Sequence, residues 1–554
     1  MKEPYILRTI AMTTATNTLS ANQAHRPSSL LRGFLEAAER FPERPAIVVD
    51  GQEVRYRSLL LRAGQLAAAI DAFEPENSGL GAVLATRSIT AYAGILGILG
   101  SGRGYVPLNP KFPIERSAKM LSRSGARVLT VDSTGFGQLP NLLRRMEFPL
   151  AILLPDEQNP GDLARHFPEH RFVCAKELPD GASCSFKTEA HAGAIAYLLF
   201  TSGSTGEPKG VPISHQNVRS YIEKACNHYA VTERDRISQE FDLTFDLSVH
   251  DMFLSWERGA CLCCVPENAV MMPAKFIRDS QLTMWFSVPS VAGLLAKMRL
   301  LISGVFPRLR WSLFCGEPLA ATYARLWQEA APNSVVENLY GPTETTIAIT
   351  RYRWDNNTSR DRCVNGIVPI GWPFDGQKIQ IVTGEGSPVS GGDSGELCIS
   401  GSQVATGYWN DPHKSAEQFV NLPGAGDVLW YRTGDLVEQN PDGCLRYLGR
   451  ADHQVKIRGY RVELQEIEGV LCEACGTAQV VALPWPISNG NATGTVAFVA
   501  GVEHLDEDWV LHHCRTSLPD YMIPRKLFHL SEMPLNANGK VDRKALAMRL
   551  QMTS

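Results

Sequence analysis

Two long stretches, Gly79 to about Val173 and Ala194 to Tyr340, alternate short β-rich runs with segments of helical periodicity. Parallel neighbours in a sheet need a crossover between them, so this alternation predicts βαβ units and a layered α/β architecture. The strand candidates are Val128–Val131, Leu150–Leu154, Ala196–Phe200, Met284–Ser287 and Trp311–Cys315. Ahead of them, Leu30 to Ile70 reads as a helix, a turn at Pro42–Pro45, a strand at Ala46–Val49, an Asp50-Gly51 hairpin and a second helix. After about Asn365 glycine and proline become frequent. The runs there shorten to Lys378–Val382, Gly395–Ser400 and Leu445–Leu448, a pattern of antiparallel strands in a small barrel. Gly449–Asp452 leads into a last segment large enough for a small α/β domain. No repeat of solenoid period is present.

Composition narrows the classes. The 554 residues are 44% hydrophobic and 20% charged, which supports several packed cores and excludes global disorder. The net charge of -4 gives no electrostatic reason to expect nucleic acid or an anionic membrane as partner. Tyr92–Leu99 and Cys261–Val265 are the strongest apolar runs, and both fall short of the ~18 residues of a membrane span. Residues 1–29 are polar, lack the order of a secretory signal and read as a mobile tail, with Met12 a second candidate start. Thirteen cysteines without an export signal imply a reducing compartment and a cytoplasmic location. Cys472 and Cys475 have C-x-x-C spacing, but His512, His513 and Cys514 do not form the matching second pair of a zinc site, so these thiols are read as packing residues.

Three motifs carry chemistry. An apolar strand runs into Thr201-Ser202-Gly203-Ser204-Thr205-Gly206, followed by Lys209-Gly210. Glycines let a backbone turn tightly and expose N–H groups, hydroxyls add donors and the lysine adds a point charge, a set suited to a polyphosphate. The Walker spacing is absent, because Gly210 follows Lys209 where serine or threonine would be required. The second motif is Asn338-Leu-Tyr-Gly-Pro-Thr-Glu-Thr-Thr346, which offers an aromatic face at Tyr340 and a carboxylate at Glu344. The third is Tyr431-Arg-Thr-Gly-Asp435 with Gly449-Arg450-Ala-Asp452, where a carboxylate can accept both hydroxyls of a ribose beside an arginine. Each alone also fits an ordinary turn.

Together the motifs resemble those of the adenylate-forming enzymes, specifically the amino-acid-activating adenylation domains of nonribosomal peptide synthesis. The resemblance runs from about Leu30 to Leu546. It includes Gly104-Tyr-Val-Pro-Leu-Asn-Pro110, Phe245-Asp-Leu-Ser248, Gly395-Glu-Leu-Cys-Ile-Ser-Gly401, Gln454-Val-Lys-Ile-Arg-Gly-Tyr-Arg-Val-Glu463 and Asn536-Ala-Asn-Gly-Lys-Val-Asp542. It implies an α/β fold with a large N-terminal core at 30–451, built of two αβ-layered subdomains and a small barrel, and a mobile α+β lid at 452–554. It also implies two half-reactions at one site. ATP and a carboxylic acid give an acyl-adenylate and pyrophosphate; the lid then turns, and a phosphopantetheine thiol takes the acyl group.

Roles follow from the resemblance by position. Thr201, Ser202, Gly203, Ser204, Thr205 and Gly206 would hold the β- and γ-phosphates with Lys209 nearby. Tyr340 would stack on adenine, with Asn338, Gly341 and Thr343 completing the nucleotide site. Glu344 would help hold Mg²⁺. Asp435 would bind the ribose with Arg450 assisting. Lys540 would bridge the substrate carboxylate and the α-phosphate, where a buried ammonium stabilises charge gathering at phosphorus. Asp452 would be the hinge, and Gly459 would line a pantetheine tunnel after rotation. Phe200, where tyrosine is usual, and His453 in the hinge loop are mild departures.

The same comparison places Asp246 against a substrate ammonium, which favours an amino acid over a plain carboxylate. The other pocket positions are Leu247, His250, Ser287, Leu313, Cys315, Leu339, Ile347 and Ala348. None is Asp, Glu, Lys or Arg, so a small neutral side chain is expected. His250 and Ser287 would form a polar floor, unless His250 merely bonds to a neighbouring backbone group. The stretch Phe241 to Phe253 is most similar to free-standing prolyl-activating ligases, which implies proline and leaves alanine, serine, glycine and cysteine open. Fourteen residues follow Lys540, so a separate carrier protein is expected as partner. The rival expectations are an acyl- or aryl-CoA ligase of the same fold, which Asp246 opposes, and an inactive binding module, which intact Lys209, Glu344, Asp435 and Lys540 oppose. A class I aminoacyl-tRNA synthetase is excluded by the lack of a His-Ile-Gly-His pattern and of a basic excess.

Overall fold

A computed structural model of the chain describes residues 29–73, 79–180, 185–187, 190–191, 193–203, 207–270, 272–389, 393–452, 454–488, 491–535 and 541–552. The expected tail, apart from Ser29, lies outside the described residues, as do Ser204, Thr205, Gly206, His453 and Lys540.

The first sheet has seven strands in the order Arg171–Cys174, Ala151–Leu154, Val128–Val131, Leu80–Leu84, Gly104–Leu108, Ile195–Thr201 and Lys209–Ser214. All pairs are parallel except the last, which is antiparallel. Leu80–Leu84 and Gly104–Leu108 are buried at every residue, as strands covered on both faces must be. The helix Ile89–Gly100 that links them is buried from Thr90 to Gly100, which explains why the strongest apolar run has no polar face.

The second sheet has nine strands in the order Trp372–Pro373, Thr350–Arg353, Val335–Tyr340, Trp311–Phe314, Met284–Ser287, Arg236–Gln239, Cys261–Cys264, Pro45–Val49 and Gln52–Arg55. Its interior is parallel and its edges antiparallel. The cysteine-rich run Cys261–Cys264 is therefore a buried interior strand of this sheet. Tyr105 and Tyr197 of the first sheet share one hydrophobic core with Ile237, Met284 and Leu313 of the second. The segment expected as a small barrel is a five-stranded antiparallel sheet, Lys378–Val382, Ser394–Ser400, Leu429–Gln439 and Phe419–Asn421, with Leu445–Arg450 also on Leu429–Gln439.

The C-terminal segment has its own apolar centre, from Ile457 to Leu527, around the helices Leu464–Cys475 and Glu507–Ser517. It holds a four-stranded and a three-stranded sheet. Cys472 and Cys475 lie one turn apart on the first helix, and Cys514 is buried on the second. Among the described residues no helix is long and apolar enough to cross a membrane.

Candidate active site

The antiparallel pair at the edge of the first sheet sets Thr201 directly opposite Lys209. A Cβ on Gly203 would stand 2.1 Å from the Glu207 carbonyl oxygen, so no other residue fits this turn. The Thr201 hydroxyl is buried and unpartnered among the described residues. Lys209 is nearly buried, its ammonium 4.6 Å from the centre of the Tyr408 ring and 3.4 Å from Glu344 Oε1. Burial, seconded by Arg461, pushes its pKa down to about 8 against the pull of Glu344.

Glu344 sits in the short turn after the strand Val335–Tyr340 and is completely buried. Tyr408 donates its hydroxyl to Oε1 at 2.8 Å, and the Arg461 guanidinium contacts both carboxylate oxygens at 3.0 and 2.8 Å. Burial alone would raise this carboxyl; Arg461 and Lys209 outweigh it and hold the pKa well below the usual range. It is thus an ionised oxygen donor, of the kind a hard divalent cation takes.

Asp435 is held by two partners. Tyr340 donates its hydroxyl to Oδ2 at 2.5 Å, and Arg450 donates to Oδ1 at 2.8 Å. Arg450 also grips both oxygens of Asp452 at 2.6 Å, so the expected hinge residue is tied to the expected ribose site. Asn338 donates its amide to the carbonyls of Val368 and Pro369 at 3.3 and 2.9 Å. Asn338, Tyr340, Asp435 and Arg450 border a cavity of about 470 Å³ between the core and the C-terminal segment, the right size for a nucleotide or similar small molecule. Gly341 packs where a Cβ would meet Ala348 Cα at 2.7 Å.

Asp246 precedes the helix Leu247–Glu257 and is 3% exposed. Burial pushes its pKa up to about 7; the Thr343 hydroxyl, Lys456 and the Leu247 amide pull the other way, and Glu344 adds to the rise. The expected pocket residues Leu247, His250, Ser287, Leu313, Cys315, Leu339, Ile347 and Ala348 are all at most 2% exposed. His250 is paired through Nδ1 with the Tyr221 hydroxyl at 2.7 Å, not with backbone, and its Nε2 has no partner among the described residues. Burial lowers its pKa to about 3, so the ring is neutral at physiological pH. The Ser287 hydroxyl accepts the Trp285 indole N–H at 2.9 Å, and burial pushes the Cys315 thiol up to about 12. Thr346 and Ile347 have φ of 59° and 72°, a conformation a β-branched residue rarely takes. Gln403 holds that turn: its carbonyl accepts the Thr346 hydroxyl at 2.5 Å, and its amide donates to Ala348 O at 2.8 Å.

The strands Gln454–Ile457 and Tyr460–Glu463 lean into this site. Gly459, between them, has φ of 83°, and a Cβ there would stand 2.4 Å from Val288 Cγ1. Tyr460 stacks between Phe245 at 5.9 Å and Tyr521 at 3.9 Å. Sequence reasoning assigned no role to Arg461, Tyr408 or Lys456. A cation-rich stretch around a glycine, Lys456-Ile-Arg-Gly-Tyr-Arg461, was the available signal.

The layered sheets, the Ser/Thr/Gly loop and the inserted C-terminal segment define an adenylate-forming enzyme. Residues 34–409 match the model of the AMP-binding enzyme family, and the chain belongs to that family. It is 32% identical over 532 residues to tyrocidine synthase 2 of Brevibacillus parabrevis, matching 95% of this chain and 14% of that protein. Against gramicidin S synthase 2 of Brevibacillus brevis it is 32% identical over 517 residues, matching 93% of this chain and 11% of that protein. The chain thus spans only a small part of the length of these curated relatives. Among solved structures, the Vibrio cholerae adenylation domain AlmE in complex with glycyl-adenosine-5'-phosphate is 33% identical with a TM-score of 0.85, covering 99% of this chain and 100% of that one. Holo-PA1221, a nonribosomal peptide synthetase protein with adenylation and carrier domains, is 25% identical with a TM-score of 0.76, covering 94% of this chain and 84% of that one.

Proposed function

We propose that the chain uses ATP to activate a small neutral amino acid, proline first among the candidates, and passes it to the phosphopantetheine thiol of a carrier protein on a separate chain. The observation that supports this reading is Asp246, a carboxylate buried among expected pocket residues none of which is charged, with Lys456 of the C-terminal segment the cation that acts on it. A buried carboxylate needs a cation, and the substrate ammonium supplies it. A substrate side chain with its own charge would find no partner there.

In the first half-reaction a substrate carboxylate oxygen attacks the α-phosphorus. The new acyl–phosphate bond forms as the bond to the β-phosphate bridging oxygen breaks, and pyrophosphate leaves. Thr201, Ser202, Gly203, Ser204, Thr205, Gly206 and Lys209 hold the departing phosphates. Tyr340 stacks on adenine, with Asn338, Gly341 and Thr343 around it. Asp435, oriented by Arg450, accepts the ribose hydroxyls. Lys540 spans the substrate carboxylate and the α-phosphate. Glu344 would hold Mg²⁺, which when bound offsets phosphate charge.

In the second half-reaction the thiol sulfur attacks the acyl carbon and AMP leaves. With Gly459, Tyr460 and Arg461 turned into the site, the described orientation suits this step: Arg461 fills the cation position at Glu344. Asp452 is the hinge between orientations, and Gly459 lines the thiol's approach.

Glycine is the second reading, because AlmE, of similar sequence along its whole length, is in complex with glycyl-adenosine-5'-phosphate. Amino-acid-dependent ATP–pyrophosphate exchange across the common amino acids tests both, with carrier protein and free coenzyme A as alternative acceptors. A response to proline above all others supports the first reading, and one to glycine the second. No response to any amino acid overturns both.

A further inference from the structure

The helix Ile114–Ser124 presents Arg116, Lys119 and Arg123 at i, i+3 and i+7, a single face directed at the loop after Thr201. Lys119 and Arg123 meet Glu207 of that loop at 2.8 and 3.7 Å. Arg116 instead crosses to the C-terminal segment and pairs with Glu466 Oε1 at 2.5 Å, with side chains 6% and 2% exposed. Burial raises the pKa of the Glu466 carboxyl; Arg116 and, after it, the Gly203 amide beside the same carboxylate pull the other way, while Oε2 has no hydrogen-bond partner among the described residues. One residue earlier, the Ser202 hydroxyl donates to the Arg461 carbonyl at 2.7 Å.

Two consecutive donors of a phosphate-type loop are therefore set against oxygens of the C-terminal segment, one of them a carboxylate held by a buried guanidinium. Amide, hydroxyl and guanidinium are the donors a phosphate oxygen takes. Glu466 and Tyr521, which face Arg116, both belong to the C-terminal segment, so the guanidinium is freed for another anion whenever that segment moves off. The anion that the loop itself binds is the one at hand.

We propose that Arg116 is a phosphate-binding residue that exchanges partners: the terminal phosphates of ATP, then pyrophosphate, in one lid orientation, and Glu466 in the orientation described here. Glu466 is in this sense a phosphate surrogate. Pyrophosphate and the lid carboxylate compete for one guanidinium, so release of the first and docking of the second are coupled. This rests on the proposed function and adds a residue pair and a coupling to it.

The experiment uses the full chain with its preferred amino acid and a carrier protein. Exchange, single-turnover carrier loading from preformed adenylate, and inhibition of loading by added pyrophosphate are measured for the wild type, Glu466→Gln, Arg116→Met and the swap Arg116→Glu/Glu466→Arg. Loss of one charged hydrogen bond predicts about ten- to hundredfold effects. Glu466→Gln lowers the ratio of loading to exchange by at least tenfold and makes pyrophosphate inhibit at about tenfold lower concentration. Arg116→Met raises the KM for ATP and the pyrophosphate inhibition constant together. The swap recovers loading relative to either single variant without recovering pyrophosphate affinity, which separates pairing from simple misfolding. Loading and exchange falling in proportion in Glu466→Gln, or an unmoved inhibition constant in Arg116→Met, overturns the inference. Wild-type protein without amino-acid-dependent exchange fails the proposed function instead.

Discussion

Replacing Asp246 with asparagine should stabilise the protein and disable it together. The carboxyl moves from 3.8 to about 7 on burial. Each pH unit between those values is worth 1.36 kcal/mol, so holding the ionised group at this buried position costs on the order of 4 kcal/mol above pH 7. The sign follows from a raised pKa: the fold prefers the protonated form, so the adverse contribution is absent below about pH 4, grows as pH rises and is complete above about pH 7. Asparagine copies the neutral acid, so its stability advantage should be about 1.4 kcal/mol larger at pH 8 than at pH 6. An ammonium about 4 Å from the carboxylate recovers roughly 4 kcal/mol at an effective dielectric of 20, and asparagine forfeits it, a loss near 10³-fold in kcat/KM. Below pH 7 the wild-type KM for the amino acid should rise toward tenfold per unit, because the neutral acid must first ionise. Denaturant unfolding at pH 6, 7 and 8 and pyrophosphate exchange over the same range read both effects. An asparagine variant keeping more than a tenth of the wild-type kcat/KM, or a stability gain independent of pH, refutes the reasoning.

Three further outcomes are expected. Gly459→Ala costs about 1–2 kcal/mol for the left-handed backbone and about 1–3 kcal/mol for the contact with Val288; only the second depends on lid orientation. Carrier loading should therefore fall ~5- to 150-fold more than exchange, and Val288→Ala in the same chain should restore the balance. Tyr408→Phe removes the hydroxyl that Glu344 accepts, which should lower unfolding stability by about 1–3 kcal/mol, read by denaturant titration. Arg461→Met leaves Glu344 with Lys209 as its remaining cation and should loosen the lid, read as faster proteolysis between 449 and 459 with the core intact.

Much of the fold was legible because period and punctuation are local. Val128–Val131, Met284–Ser287 and Lys378–Val382 are strands with the bounds their β-rich runs predict. Lys209, Tyr340, Glu344, Asp435 and Arg450 do gather, because each lies in a motif whose neighbours fix the turn that aims it. What stayed hidden depends on distant partners. Arg116 and Glu466 are 350 positions apart, and Tyr408 meets Glu344 across 64. Neither stretch carries a local pattern announcing the other. For His250 the sequence leaves pocket floor and backbone partner equally open. Its bond to Tyr221, 29 residues earlier, arises where two helices pack and has no sequence signature.

The left-handed pair at Thr346 and Ile347 bears on redesign. Such a backbone costs about 1–3 kcal/mol per residue and persists only where its surroundings over-determine it. Gln403, in the turn after the strand Ser394–Ser400, does so here with its main-chain carbonyl and its side-chain amide. Attempts to reprogram the pocket by exchanging side chains at 347 alone would inherit a wall whose shape is dictated elsewhere. Libraries that vary 346, 347 and 403 as one unit, with glycine allowed at the first two, would sample wall geometries that single-site mutagenesis never reaches.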